Sequence, residues 1–131
     1  MENPTNAGTD QVPEISEPRF TAQSAIDEGI PILRLGGDLD LTTVPLLMDA
    51  VNAAMHVHGR QRIVLDCTGL AFCDSSGLNC FLQLHKGTGP VEGLVLAQVG
   101  APLRRLLDIT GADQALAVTP TVDAALALLR S

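Results

Sequence analysis

The chain predicts a single α/β domain with a mixed, mostly parallel sheet. Short β-branched runs alternate with segments whose apolar residues recur every three or four positions, giving the order β-β-α-β-α-β-α-β-α. Glycine or proline punctuates most junctions between these segments. A length of 131 residues, 46% of them apolar, suits one domain with a full core and leaves little room for a second.

The elements follow in order. Residues 1–18 are rich in Asn, Thr, Gly, Asp, Glu and Pro and are expected to be a disordered tail, with the domain spanning 19–131. Residues 20–26 read as a first strand, Asp27-Glu28-Gly29 as a turn, and 30–35 as its antiparallel partner, ended by Gly36-Gly37. Thr42 or Thr43 is placed to cap a helix with Pro45 in its first turn. Apolar residues at 44, 47, 48, 51, 54 and 55 carry that helix to about Val57, and Gly59 stops it. Residues 62–66 form a short β-branched strand, and 67–73 a loop with Gly69 near its middle. A second helix opens at Asp74-Ser75-Ser76-Gly77 and runs to about Lys86, where Gly87-Thr88-Gly89-Pro90 breaks it. A buried strand over 94–99, a helix from Pro102 to Gly111, a short strand over 115–118 and a last helix over 122–130 complete the pattern.

Composition excludes several functions. Aromatics are 2% of the chain, with no Trp or Tyr, so the core is aliphatic and base stacking is an improbable mode of recognition. The formal net charge of -7 opposes nucleic acid and anionic membrane surfaces. Residues 1–17 lack the basic and apolar regions of a signal peptide, and no apolar run approaches a bilayer span. Three cysteines, Cys67, Cys73 and Cys80, read as reduced thiols in a cytoplasmic chain.

The most informative stretch is 64–84, where a buried strand leads to acidic and hydroxyl residues at a helix start. The first backbone amides of a helix lack intrahelical partners and favour an anion. A phosphate on Ser75 would add about -1.5 to -2 charge at a surface helix start. A partner face fitted to a neutral hydroxyl would then meet repulsion and a desolvation cost. The plain alternative is that Asp74, Ser75 and Ser76 only cap a helix.

Three ordered motifs add to this. They are Gly37-Asp38-Leu39-Asp40 followed by Thr42; Ile63-Val64-Leu65-Asp66 followed by Leu70, Phe72 and Asp74-Ser75-Ser76-Gly77-Leu78; and Leu103-Arg104-Arg105-Leu106-Leu107-Asp108-Ile109-Thr110-Gly111. In these motifs and their intervals the chain resembles the bacterial anti-sigma factor antagonists, the anti-anti-sigma branch of the STAS domain family, over nearly all of residues 20–129. The resemblance implies a STAS-type fold and a regulatory role without catalysis or cofactor. It implies that Ser75 is phosphorylated by an anti-sigma factor that is also a serine kinase using ATP and magnesium. The unphosphorylated form would bind that factor and release the sigma factor, and a phosphatase would reset the switch. It further implies a partner-binding surface of Asp40, Asp74, Ser75, Ser76 and Gly77. Many relatives end the second helix in Arg and Lys; here His85-Lys86-Gly87-Thr88 follows. A STAS domain that binds a partner or small ligand without switching is the other reading.

Remaining signals are set aside. A serine hydrolase would need a base, for which His56, His58 and His85 are available, but the glycine of a nucleophile elbow is missing before Ser75. His56 and His58 are two residues apart and do not face one another on a helix. The cysteines lack Cys-x-x-Cys spacing, so no metal is expected; Cys80 reads as a small buried apolar residue, and Cys73 leaves room for redox control. Gly87-Thr88-Gly89 lacks the lysine and the strand-to-helix context of a phosphate loop. Arg104 and Arg105 read as a solvated helix face. A monomer is expected.

Overall fold

The computed structural model describes the backbone of residues 19–58, 61–86 and 91–130, and their side chains except at 56–58, 61, 91 and 92. The expectations for the tail, for Gly59, for Gly87-Thr88-Gly89-Pro90 and for the side chains of His56 and His58 fall outside these residues. The elements are β1 Phe20–Asp27, β2 Ile30–Leu39, α1 Val44–His58, β3 Gln61–Cys73, α2 Ser75–His85, β4 Val91–Ala97, α3 Ala101–Thr110, a 3-10 turn Ala112–Gln114, β5 Ala117–Thr119 and α4 Val122–Arg130. Their order is the expected one.

The five strands lie in the order β1-β2-β3-β4-β5. The hairpin β1–β2 is antiparallel, and β2–β3, β3–β4 and β4–β5 are parallel. Alternation along the strands builds two cores, because successive side chains leave opposite faces of a sheet. Leu33, Leu35, Ile63, Leu65, Leu94 and Leu96 meet the apolar stripes of α1, α2 and α3, including Leu47, Phe81 and Leu107. Ile30, Val64, Val95 and Ala97 meet Ala125, Leu126 and Leu129 of α4. Cys80 is buried in the larger core, 3.4 Å from the Met48 sulfur, as its place beside Phe81 suggested.

Four expectations need correction, and all concern how far strands run. Gly36-Gly37 does not end β2, which continues to Leu39; residues 67–73 are not a loop but the second half of β3. Each supplies the backbone partner that the other lacks in isolation: Gly36 pairs with Gly69, Gly37 with Leu70, Asp38 with Phe72 and Leu39 with Cys73, across two register shifts. Ladder partners 30 or more residues away outweigh local glycine propensity here. The fourth strand is also shifted, ending at Ala97, because Gln98 takes a positive φ of 57° and turns the chain out of the sheet. Likewise the last strand begins at Ala117 rather than 115, after the 3-10 turn.

Candidate functional site

The extended ends of β2 and β3 deliver two aspartates side by side. Asp74 N–H donates to the Leu39 carbonyl at 3.2 Å, so Asp74 sits next to the chain that continues into Asp40. From there β2 turns into α1 and β3 turns into α2.

At the first turn Asp40 ties the residues that precede α1, and Thr43, one of the two expected caps, stands just before the helix with its carbonyl accepting from Leu46 N–H at 2.8 Å. Its Oδ1 accepts from Thr42 N–H at 2.9 Å, the Thr42 hydroxyl at 2.7 Å and Thr43 N–H at 3.2 Å. The Thr43 hydroxyl faces backward, donating to the Asp38 carbonyl at 2.8 Å and accepting from Asp40 N–H at 2.9 Å. Arg19, at the entry to β1, pairs with Asp40 Oδ2 and donates to the Thr42 hydroxyl at 2.8 Å. The Thr42 hydroxyl, opposed by partial desolvation and helped by the Thr42 amide and Arg19, holds the Asp40 carboxyl below its ordinary value of 3.8. A lowered carboxyl pKa means that the unfolded chain takes up the proton first as pH falls. The stability it contributes is therefore complete above pH 3.8 and is lost as pH falls through the lower, folded-state value. An NMR titration should place the Asp40 midpoint below 3.8. Asp40→Asn should be less stable than wild type at neutral pH, with the gap closing in stronger acid.

At the second turn Asp74 is the N-cap of α2, with extended backbone at φ -101° and ψ -172°. Its Oδ1 accepts from Ser76 N–H at 2.9 Å and Gly77 N–H at 3.2 Å. Ser75 is the first residue of the helix and is exposed. No hydrogen bond involves its hydroxyl among the described residues. Two of the donors expected to cradle an anion at this helix start, Ser76 N–H and Gly77 N–H, are thus already held by the Asp74 carboxylate. Ser76 is half-buried and faces a groove of about 320 Å³ between α1 and α2, shared with Leu41, Val44, Met48, Asn79 and Cys80. Ser75 faces a second groove, between α2 and α3, that reaches Thr110.

Gly77 has a different place from the other four site candidates. It is buried, and a Cβ there would lie 2.8 Å from Cys73 Sγ and from Cγ and Cδ2 of Leu39. The absence of a side chain lets the first turn of α2 rest on the ends of β2 and β3, which fixes where Ser75 projects.

Cys73 is 7% exposed, and its environment works against redox chemistry. Burial, with Asp74 and Cys80 adding to it, pushes its thiol from 9.0 up to about 12. Burial likewise raises Cys67, beside Asp66, and Cys80. So raised, the Cys73 thiol stays protonated at neutral pH, and the nucleophilic thiolate is scarce. Native protein is expected to resist iodoacetamide for hours at pH 7.5, while urea-unfolded protein adds three labels; rapid native labelling of Cys73 would show that the thiol is accessible.

The hydrolase arrangement is not assembled here by His85, which lies at the far end of α2 from Ser75, on the order of 15 Å along the axis. No group of three or more His, Cys, Asp or Glu side chains able to hold a metal occurs among the described residues. No helix there is long and apolar enough to cross a membrane.

The STAS domain model matches residues 21–125, which take in both acidic turns and the start of α2. An anti-sigma F factor antagonist from Paenibacillus polymyxa is 34% identical over 84 residues, covering 63% of this chain and 72% of that protein. The chain belongs to the STAS-domain family of anti-sigma factor antagonists. Proteins of this family are regulatory rather than catalytic. The crystal structure of an anti-sigma factor antagonist from Mycobacterium paratuberculosis superposes with a TM-score of 0.77 at 26% identity, covering 89% of this chain and all of that one. The Bacillus cell fate determinant SpoIIAA, solved in its phosphorylated form, shares the fold with a TM-score of 0.57 at 19% identity, covering 81% of this chain and 96% of that one.

Three residues around this site carried no sequence signal for exposure. Leu41, Phe72 and Ile109 are apolar yet 75%, 47% and 75% exposed. Leu41 lines the groove that Ser76 faces, Phe72 lies three residues before Ser75, and Ile109 precedes Thr110, which lines the groove that Ser75 faces. Periodicity marks apolar residues for the core, and only the packing of the folded chain reveals that these three miss it.

Proposed function

We propose that this protein is a phosphorylatable antagonist of an anti-sigma factor and acts in the cytoplasm. Its unphosphorylated form binds an anti-sigma factor with serine kinase activity and so releases a sigma factor. That kinase, using ATP and magnesium, phosphorylates Ser75 and breaks the complex, and a phosphatase removes the phosphate. Asp40, Asp74 and Ser76 contribute to the contact surface, with Gly77 setting its shape from beneath.

One observation carries the reading: the Ser75 hydroxyl is exposed at the first position of α2 and unbonded among the described residues, while the Ser76 and Gly77 amides beside it are held by Asp74. A kinase can reach such a hydroxyl, and a phosphate placed on it stays a surface charge. Mass spectrometry after incubation with ATP, magnesium and the anti-sigma factor should find one added phosphate, on Ser75. Ser75→Ala should keep binding, and Ser75→Asp, with less charge than phosphate, should weaken it in part. A kinase active on another substrate but silent on this chain would overturn the reading.

The groove between α1 and α2 favours a second reading, a STAS module that binds a partner or small apolar ligand without switching. Such a module binds equally well as Ser75→Ala and as Ser75→Asp.

A further inference from the structure

The outer face of α3 combines two features that the Ser75 helix start does not use. The first is apolar. Phe72, at the end of β3, and Ile109, on α3, flank a shallow groove of about 250 Å³ shared with Cys73, Pro102, Arg105 and Leu106. Both flanking side chains are large and exposed. The groove adjoins the candidate site through the chain itself, since Phe72 lies three residues before Ser75 and Thr110, next to Ile109, lines the groove that Ser75 faces.

The second feature is charge. Arg19, Arg34 and Arg130 are each paired with a carboxylate, and Arg62 donates to the Leu129 carbonyl. Arg104 and Arg105 are exposed, and neither side chain has an ion pair or hydrogen bond among the described residues. In a chain of net charge -7, two adjacent unpaired guanidinium groups reverse the local sign. Asp108, one turn on, offsets part of that charge. A planar guanidinium beside a large apolar surface is the combination that anchors protein interfaces, because it pairs a carboxylate bidentately while its neighbours exclude water.

We propose that the Phe72–Ile109 groove, with Arg105 at its edge, is a second contact surface for the partner protein. Its occupant is a segment presenting an apolar side chain next to a carboxylate. The apolar side chain enters between Phe72 and Ile109, and the carboxylate pairs with Arg105. A second copy of this chain fits poorly, because a two-fold contact through this face brings like charges together between two acidic molecules. The proposal rests on the reading of the chain as an anti-sigma factor antagonist and adds a surface that phosphate on Ser75 does not occupy.

The test uses the full chain. Ser75→Ala protein retrieves the anti-sigma factor from the native cell, and that factor is then produced alone as the probe. Its Kd is measured at low and high salt against wild type, Arg105→Glu, Ile109→Ser, Ser75→Asp and, as an apolar truncation on the opposite face, Leu128→Ser. Circular dichroism checks that each variant is folded. Arg105→Glu and Ile109→Ser are each expected to weaken binding at least tenfold, Leu128→Ser less than twofold, and Arg105→Glu to reduce the salt dependence. If both α3 variants bind like wild type while Ser75→Asp weakens, the α3 surface is refuted and the Ser75 switch stands. An equal loss from Leu128→Ser, or a wild-type dimer that Ile109→Ser converts to monomer, also refutes it. If Ser75→Ala retrieves no anti-sigma factor, the parent reading fails and this surface with it.

Discussion

Replacing Gly37 with alanine should destabilise the domain by about 3 kcal/mol or more, read as a lower urea midpoint at unchanged slope. Gly37 has a φ of 86°, and a Cβ there would overlap the Arg19 carbonyl oxygen and lie 2.9 Å from the Arg19 carbonyl carbon. Neither neighbour is the end of a flexible side chain. The Arg19 carbonyl is itself fixed, accepting from Asp38 N–H at 2.7 Å. Relief therefore means parting β1 from β2. The matching control is Gly29→Ala, at a φ of 87° with nothing within 4 Å of its Cβ. There only the cost of the left-handed conformation applies, about 1–2 kcal/mol. The difference between the two variants isolates the collision with β1. Its consequence reaches the candidate site, because Arg19 also holds Asp40. The Asp40 titration midpoint should move up toward 3.8 in Gly37→Ala and stay in place in Gly29→Ala. Equal losses in the two variants would show that β1 yields freely.

The same corner explains what was legible in the sequence. The periodic stripes of α1 and α4, and the acidic and hydroxyl residues opening α2, are local signals, and each element lies where they put it. The path of β2 through Gly36 and Gly37 is not local. It depends on residues 69–73 pairing alongside, and on Thr21 and Arg19 crossing the other edge. Glycine in a sequence signals a turn or a close approach equally well, and only the partner strand decides. The Ser75 helix start was readable because capping is written within four residues. That Asp40 is clamped by Arg19, 21 residues earlier, was not. Nor could composition reveal that Asp74 already occupies the amides that a phosphate would otherwise take. That occupancy reverses part of the expectation for an anion at this helix.

Phosphate on Ser75 should weaken the partner complex more than a hundredfold, about 3 kcal/mol, while leaving the stability of the isolated domain nearly unchanged. The two halves of this expectation have one cause. Helix-start amides and the helix dipole would ordinarily draw a phosphate inward and offset its charge. Here Ser76 N–H and Gly77 N–H are committed to Asp74 at 2.9 and 3.2 Å, and the cation at the neighbouring turn, Arg19, is committed to Asp40. The dianion is left facing the partner beside a carboxylate, where desolvation and like-charge repulsion fall on the interface. Removing Asp74 tests the cause directly. Asp74→Ala loses a cap worth about 1 kcal/mol, and frees the two amides. Phosphorylation should then raise the Tm of Asp74→Ala by recovering about 0.5–1 kcal/mol at the helix start, yet leave the Tm of the wild type in place. Binding should follow in reverse, with phosphate costing less affinity in Asp74→Ala than in wild type. A phosphorylated wild-type chain that binds within threefold of the unmodified one would remove the repulsion argument. A wild-type Tm raised by phosphate would instead show that the Asp74 carboxylate gives way.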